Sequence, residues 1–308
     1  MVYSLLKIPV FVFNISCSVF ENKSVWWYIY ALKLNISSAK CFKTMKNVGF
    51  YDWKLGTNKP VSWIMIHAPA NGGGKSLDMH SALHLGIILS GKHLGKYGNT
   101  GLELNSSNIY LTSPWEPHCT LPGSSERGIL LINLDDSTLE KFFFIGREKL
   151  EKLFFMPPEE RMQCINQNPG KTLLIEHALA VFEQDDSQEK PLAMYNAVLT
   201  FFISLLPHIP GGTPSGKLPG SRLKPALQSL NCKLMSVEDA AGLCNLSVSR
   251  FAVLFKEFFG MSFGRYERLF RLNGAKDDLH NGSTLKEAAE KWNFCDKSHL
   301  ARLLKKYE

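Results

Sequence analysis

Between residues 48 and 135, short apolar runs alternate with Gly, Pro, Asn and Ser. Trp63-Ile64-Met65-Ile66, Leu85-Gly86-Ile87-Ile88-Leu89, Gly101-Leu102-Glu103-Leu104, Ile109-Tyr110-Leu111-Thr112 and Gly128-Ile129-Leu130-Leu131-Ile132 have strand length and composition, with turn residues between them. Strands this short and closely spaced predict an all-β barrel or sandwich. After Asp136 the period changes. Ser137 is placed to cap a helix running to Phe144, and Pro157-Pro158 interrupts any continuation of the next one. Across residues 172–206 apolar positions recur at helical spacing: Leu174, Ala178, Val181 and Phe182, then Leu192, Tyr195, Val198, Leu199, Phe202 and Leu206. The break at Asp185-Asp186-Ser187 divides this stretch into an antiparallel helix pair. Residues 207–221 include Pro207, Pro210, Gly211, Gly212, Pro214, Gly216, Pro219 and Gly220 and have no period, which predicts a linker. Everything beyond it has a helical pattern.

That last region repeats itself at an offset of roughly fifty residues, about one three-helix unit. Val237-Glu238-Asp239-Ala240-Ala241 answers Leu285-Lys286-Glu287-Ala288-Ala289, Asn245-Leu246 answers Asn293-Phe294, and Leu254-Phe255-Lys256 answers Leu303-Leu304-Lys305. Each copy has the composition of a helix-turn-helix. Ala241 and Ala289 are small enough for two helices to cross closely. Asn245 and Asn293 stand where the first helix must stop with φ > 0, a conformation asparagine tolerates better than other non-glycine residues. Ser247 and Asp296 are N-caps for the second helix. That helix buries Phe251, Leu254 and Phe255 in one copy and Leu300 and Leu304 in the other. Between the copies, residues 266–279 form a connector helix with Leu269, Leu272, Ala275 and Leu279 on its apolar side.

These residues give the chain a resemblance to the AraC/XylS family of transcription regulators. It covers residues 223–307 and rests on residues 247–256, Gly260-Met261-Ser262, Tyr266, Arg271-Leu272, Ala275, Asn293-Phe294, Asp296, Ser298 and residues 302–306. The resemblance implies two recognition helices on one rigid rod, entering successive major grooves of double-stranded DNA. Its implied DNA contacts are Ser249, Arg250, Ala252, Val253 and Lys256 from the first helix, and Lys297, Ser298, His299, Arg302 and Lys305 from the second. The chain departs from the family in having Asn for Gly at 245 and 293, Phe263 for Pro, and Val253 for Arg. Phe263 leaves the start of the connector helix less fixed, and Val253 removes one base or phosphate contact. The family's closing segment after Glu308 is missing, so a truncated regulator with impaired DNA binding stays open as an alternative.

By the same resemblance residues 48–135 look like a cupin-type sensory barrel, on the strand ending at Gly91 and on Leu111-Thr112-Ser113-Pro114-Trp115-Glu116-Pro117-His118. The helix pair of residues 172–206 would then be the homodimerisation element. Trp63, His80, His84, Tyr110, Trp115 and His118 are the candidate effector-binding residues, with a sugar among the small molecules such aromatics could stack on. His80, His84 and His118 fall near the metal-ligand positions of enzymatic cupins. His84 replaces the usual Glu, however, and Ala82 the second His, so the imidazoles read as pocket lining; no metal and no cofactor are expected. A metal-dependent cupin enzyme fused to a DNA-binding module is the rival reading. Gly72-Gly73-Gly74-Lys75-Ser76 is no phosphate loop, because Pro69 occupies the position of its first glycine. No other catalytic arrangement stands out, and no enzyme is expected.

Charge strengthens the reading of the repeat. From Ser221 onward fifteen Lys and Arg stand against ten Asp and Glu, which places +5 of the net +7 there and favours a polyanionic partner. The seven cysteines, Cys17, Cys41, Cys119, Cys164, Cys232, Cys244 and Cys295, are scattered and form no CxxC pair, against a disulfide framework or a zinc site and in favour of a reduced, cytoplasmic setting. Cys244 and Cys295 read as small buried thiols. The apolar run of residues 8–20 is too short and too broken to span a bilayer. The expected class is α+β: residues 1–44 an extension, 45–206 a cupin-like β-barrel with its dimerisation helices, 207–221 the linker, and 222–308 an all-α domain of two helix-turn-helix units. The expected partners are double-stranded DNA, a small-molecule effector, a second copy of the chain and RNA polymerase, with no membrane.

Overall fold

The computed structural model describes residues 55, 59–72, 77–123, 125–135, 147–210 and 222–307. The extension at residues 1–44, the helix expected from Ser137 to Phe144, most of the glycine-rich turn and residues 211–221 lie outside the described residues.

Among the described residues, seven strands form two antiparallel sheets. They are β1 (Val61–Ala68), β2 (Leu83–Ser90), β3 (Lys92–Tyr97), β4 (Thr100–Asn105), β5 (Ile109–Thr112), β6 (His118–Thr120) and β7 (Arg127–Leu134). One sheet has the order β1-β7-β2-β5 and the other β4-β3-β6. The five apolar runs all lie within strands. Two strands went unread: β3, whose Lys92, Gly95 and Lys96 dilute its alternation, and β6, which is three residues long. Gly91 joins β2 to β3 at φ +71, and a Cβ there would stand 2.0 Å from the Glu126 carbonyl oxygen.

The period of two in β2 and β7 gives the larger sheet two apolar faces. Leu83, Leu85, Ile87, Leu130, Ile132 and Leu134 pack against a helical layer of α1 (Arg147–Phe154), α2 (Pro158–Gln167), α3 (Gly170–Glu183) and α4 (Lys190–Leu205). Ile88, Ile129 and Leu131 turn the other way and meet Tyr97 and Leu104 of the smaller sheet. Arg161 on α2 is fully buried, and its Nη2 donates to both Glu116 carboxylate oxygens at 2.6 and 2.7 Å. Its Nη1 donates to Ser113 Oγ and to the Phe154 carbonyl. This fork ties the β5–β6 loop to the helical layer.

Helix α4 is apolar nearly all round, as a core helix is. Leu199 and Phe202, which the period offers to a partner, are instead buried in this chain; the exposed large apolar residues of α3 and α4 are Leu173, Leu192 and Ile203. Lys190–His208 has the length and hydropathy to cross a membrane, and its Met194, Val198, Phe202 and Leu205 belong to the core. Packing continues past Leu206, where the linker was expected to begin, because Ile209 is also buried.

From residue 224 onward come α5 (Lys224–Gln228), α6 (Val237–Leu243), α7 (Val248–Phe259), α8 (Phe263–His280), α9 (Leu285–Lys291) and α10 (Lys297–Tyr307). The connector α8 starts three residues earlier than its apolar spacing suggests. Phe263 does not loosen that start. It is buried edge-on against Phe251 and Phe255 at 5.3 and 5.2 Å, contacts worth about 0.5–1.5 kcal/mol each beyond area burial.

Candidate nucleic-acid interface

The two C-terminal copies end their first helix in the same way. Asn245 and Asn293 have φ of 52° and 54°, the left-handed conformation their position required. The Leu246 amide donates to the Ala241 carbonyl, and the Asn245 amide to that of Gly242; in the second copy Phe294 donates to Ala289 and Asn293 to Glu290. This is the paired hydrogen-bond pattern of a Schellman motif, closed twice in one chain. Ala241 and Ala289 are buried at the helix crossings.

The caps agree as well. Ser247 Oγ accepts from the Arg250 amide, and Asp296 Oδ1 accepts from the His299 amide at 2.7 Å. Hydrogen bonding from His299, first among its causes, holds the Asp296 carboxyl below the usual carboxylate range. Helices α6 and α9 are capped by Ser236 and Thr284, Thr284 in a full capping box with Glu287. Those two caps went unread, although Ser236-x-x-Asp239 and Thr284-x-x-Glu287 carry the signature.

Each second helix then buries one face and exposes the other. On α7, Phe251, Leu254 and Phe255 are buried, while Ser249, Arg250, Ala252, Val253 and Lys256 are exposed. On α10, Leu300 is buried, and Lys297, Ser298, Arg302 and Lys305 are exposed. His299 is half-buried, its ring edge-on to Phe294, and so presents less of itself than its neighbours. Arg265 and Arg268 on α8 share a concave surface with Ser262, Gly264 and Lys306 of α10, adding positive charge between the copies. Their spacing on α8 was visible in the sequence, but their proximity to α10 depends on how the helices pack.

A buried pair on α8 fixes the second copy. Arg271 Nε donates to Glu267 Oε1 at 2.6 Å, and its Nη1 donates to the carbonyls of Trp292 and Asn293, the end of α9. Its guanidinium also lies over the Phe294 ring. Gly274 makes room for Trp292, whose ring carbons would come within 2.0 Å of a Cβ at that position.

The six candidate effector residues divide among four places. Trp63 packs with the cluster between the larger sheet and the helical layer. Tyr110 lies inside the sheets, stacked on His93 at 4.6 Å. Trp115, with φ 61°, packs on Phe270 of α8 at 4.4 Å and lines a mainly apolar cavity of about 350 Å³ with Phe154, Phe155, Phe258 and Phe259. His80, His84 and His118 come together, with ring centroids 3.9 to 5.5 Å apart. Burial keeps the first two neutral, lowering the His80 pKa to about 4 and that of His84 well below its ordinary value. Cys244 is buried as expected, whereas Cys295 is exposed in the turn before α10.

The sheets and the rod touch directly. Tyr266 Oη donates to the Trp115 carbonyl at 2.8 Å, Asn273 Nδ2 to that of Met79 at 2.5 Å, and Asn99 Nδ2 to that of Lys256 at 3.1 Å. Met79 is buried in the hydrophobic cluster of the rod.

Residues 222–308 match a family described as "Helix-turn-helix domain". No curated protein matches the chain. Among solved structures, ToxT from Vibrio cholerae is 14% identical, with a TM-score of 0.47 over 80% of this chain and 94% of that one. The same protein bound to (E)-4-(8-methylnaphthalen-1-yl)but-3-enoic acid gives 14%, 0.48, 80% and 94%. A cupin protein from Bacteroides fragilis is 24% identical, with a TM-score of 0.25 over 26% of this chain and 70% of that one.

Proposed function

We propose that this chain is a sequence-specific, DNA-binding transcription regulator of the AraC/XylS type that responds to a small-molecule effector. The observation that carries the reading is the doubled helix-turn-helix on α8, each copy closed by a left-handed asparagine and exposing the outer face of its second helix. Helices presented in this way fit the major groove, where side chains meet base edges. Arg265, Arg268 and Lys306, together with Lys256 and Lys305, are suited to phosphates, which fix register without reading sequence.

The two reading helices differ in chemistry. Ser249, Ala252 and Val253 on α7 offer methyl contacts to thymine, with Arg250 and Lys256 as charges. Lys297, Ser298 and Arg302 on α10 offer hydrogen bonds to guanine or to phosphates. Arg302→Ala should therefore relax specificity at one base position by about 1–3 kcal/mol. If Arg302 holds a phosphate, the variant instead weakens all sequences alike and lowers the salt slope by about one. Val253→Ala should cost less. Binding titrations of both variants over a base-substituted operator series at several salt concentrations test this, and a larger loss from Val253→Ala would make α7 the main reader. If neither variant alters affinity while both stay folded, these helices do not contact DNA.

We place the effector in the barrel half or in the cavity it shares with the rod, the concave apolar kind of site that small ligands favour. A homodimer would draw on the outer side of α3 and α4, where Leu173, Leu192 and Ile203 are exposed. The setting is cytoplasmic, with RNA polymerase as a further partner.

A further inference from the structure

We propose that Val253 makes α7 a reader of the methyl group at pyrimidine C5, so that its half-site is recognised through thymine or through 5-methylcytosine. The inference rests on the DNA-binding function proposed above and names what one of the two reading helices selects. The outer stripe of α7 is formed by Ser249, Ala252, Val253 and Lys256, spaced i, i+3, i+4 and i+7 on one face, and all four are exposed. On α10 the residues at the same distances from the helix start are Ser298, Ala301, Arg302 and Lys305, again all exposed. Three of the four positions are identical. The turn and the cap that aim each helix are matched too, by Asn245 and Ser247 in one copy and by Asn293 and Asp296 in the other. The chemical difference between the two stripes is therefore one residue, Val253 against Arg302.

Val253 is 49% exposed, and Val248, one turn before Ala252, is 40% exposed, so an apolar strip on α7 is open to solvent. Arg250 and Lys256 frame it, which suits a strip that lies between phosphates better than one that enters an apolar protein groove. In the major groove the apolar feature of a base edge is the C5-methyl of thymine. Methylation of cytosine at C5 puts the same group in the same place. Valine has no donor or acceptor, so it cannot sort purines by N7, O6 or N6; it can only cover that methyl. Glu257, one turn beyond Val253, is an acceptor of the kind that the cytosine amino group needs. Arg302 does the converse of Val253, since its fork fits guanine N7 and O6 and gains nothing from a methyl.

The test starts from a duplex that the full chain selects out of a randomised library. Val253→Arg gives both stripes the same chemistry, and the group of preferred bases that shifts towards guanine is the α7 half-site. Within it, replacing one thymine by deoxyuridine removes the methyl and nothing else. For the wild-type chain this should weaken binding about fourfold, the worth of burying one methyl. In Val253→Ser the same replacement should cost less than about twofold, whereas in Arg302→Ala it should cost as much as in the wild type. Cytosine placed at that position should be bound about fourfold more tightly once methylated at C5. Val253 lies on the surface, so neither substitution there disturbs the core. The methyl reading is overturned, with DNA binding intact, if Val253→Arg shifts neither group or the shifted group lacks thymine. A deoxyuridine cost unchanged in Val253→Ser, or equal binding of cytosine and 5-methylcytosine, overturns it as well. Failure to enrich any duplex instead overturns the proposed function, and this inference with it.

Discussion

Removing Arg271 tests whether the second copy is held in place by α8. Glu267 is 2% exposed and Arg271 is 6% exposed, so their pairing takes place largely out of water. Deleting one partner of such a pair leaves an uncompensated buried charge, at a cost of about 3–5 kcal/mol. Arg271→Leu should fall in that range, a large part of the roughly 5–15 kcal/mol that holds a domain folded. Two further acceptors lose their donor, the Trp292 and Asn293 carbonyls, but Asn293 is exposed and water can replace the guanidinium there. The double variant Glu267→Leu/Arg271→Leu removes both charges and should recover most of the loss, since apolar replacements of buried pairs are often neutral. Urea unfolding of the four proteins of the cycle gives the coupling directly. In the single variant, DNA affinity should fall with stability, because α10 is no longer set against α8. A loss below about 1 kcal/mol in Arg271→Leu, or a double variant weaker than the single, would refute the reasoning.

Gly274→Ala should destabilise although alanine is the better helix former by about 1 kcal/mol. The added methyl would meet Trp292, and overpacking of this kind costs about 1–3 kcal/mol, so a rise in melting temperature would show that Trp292 moves aside freely. His93 is buried, and burial, ahead of the nearby Arg127 guanidinium and the His118 ring, lowers its pKa to about 3. Below about pH 6.5 the unfolded chain takes up a proton that the folded chain refuses, so stability is lost as pH falls towards 3, by about 1.4 kcal/mol per pH unit for this histidine. His93→Gln should remove one proton's share of that slope between pH 6 and 4 in urea titrations; an unchanged slope, or an NMR titration of His93 near its ordinary value, would contradict it.

The repeat was legible because its chemistry is local. A left-handed turn at Asn245 and Asn293, and caps at Ser247 and Asp296, depend on residues within one helical turn. Interactions between distant segments were not legible. Arg161 finds Glu116 across 45 residues, and nothing near either position in sequence announces the partner. Trp63 shares strand composition with the effector candidates, but its register in β1 turns it towards the helical layer, whereas Tyr110 faces the smaller sheet's cluster. The period of α4 gave a helix but not its outer side, because both sides are apolar and only packing decides which is covered. The histidine cluster lay between these cases. Its members could be named from sequence, but their convergence comes from β2 and β6 belonging to different sheets that face each other.

A doubled helix-turn-helix on one connector helix should read duplex DNA at two places at once. Selection from a randomised duplex library with the full chain, followed by affinities of the enriched sequences at fixed salt, tests it most directly. Two groups of preferred bases about ten base pairs apart, centre to centre, are expected, with binding at least about a thousandfold tighter than to unrelated duplex. Equal affinity for every duplex, or preferred bases confined to one group, would contradict it.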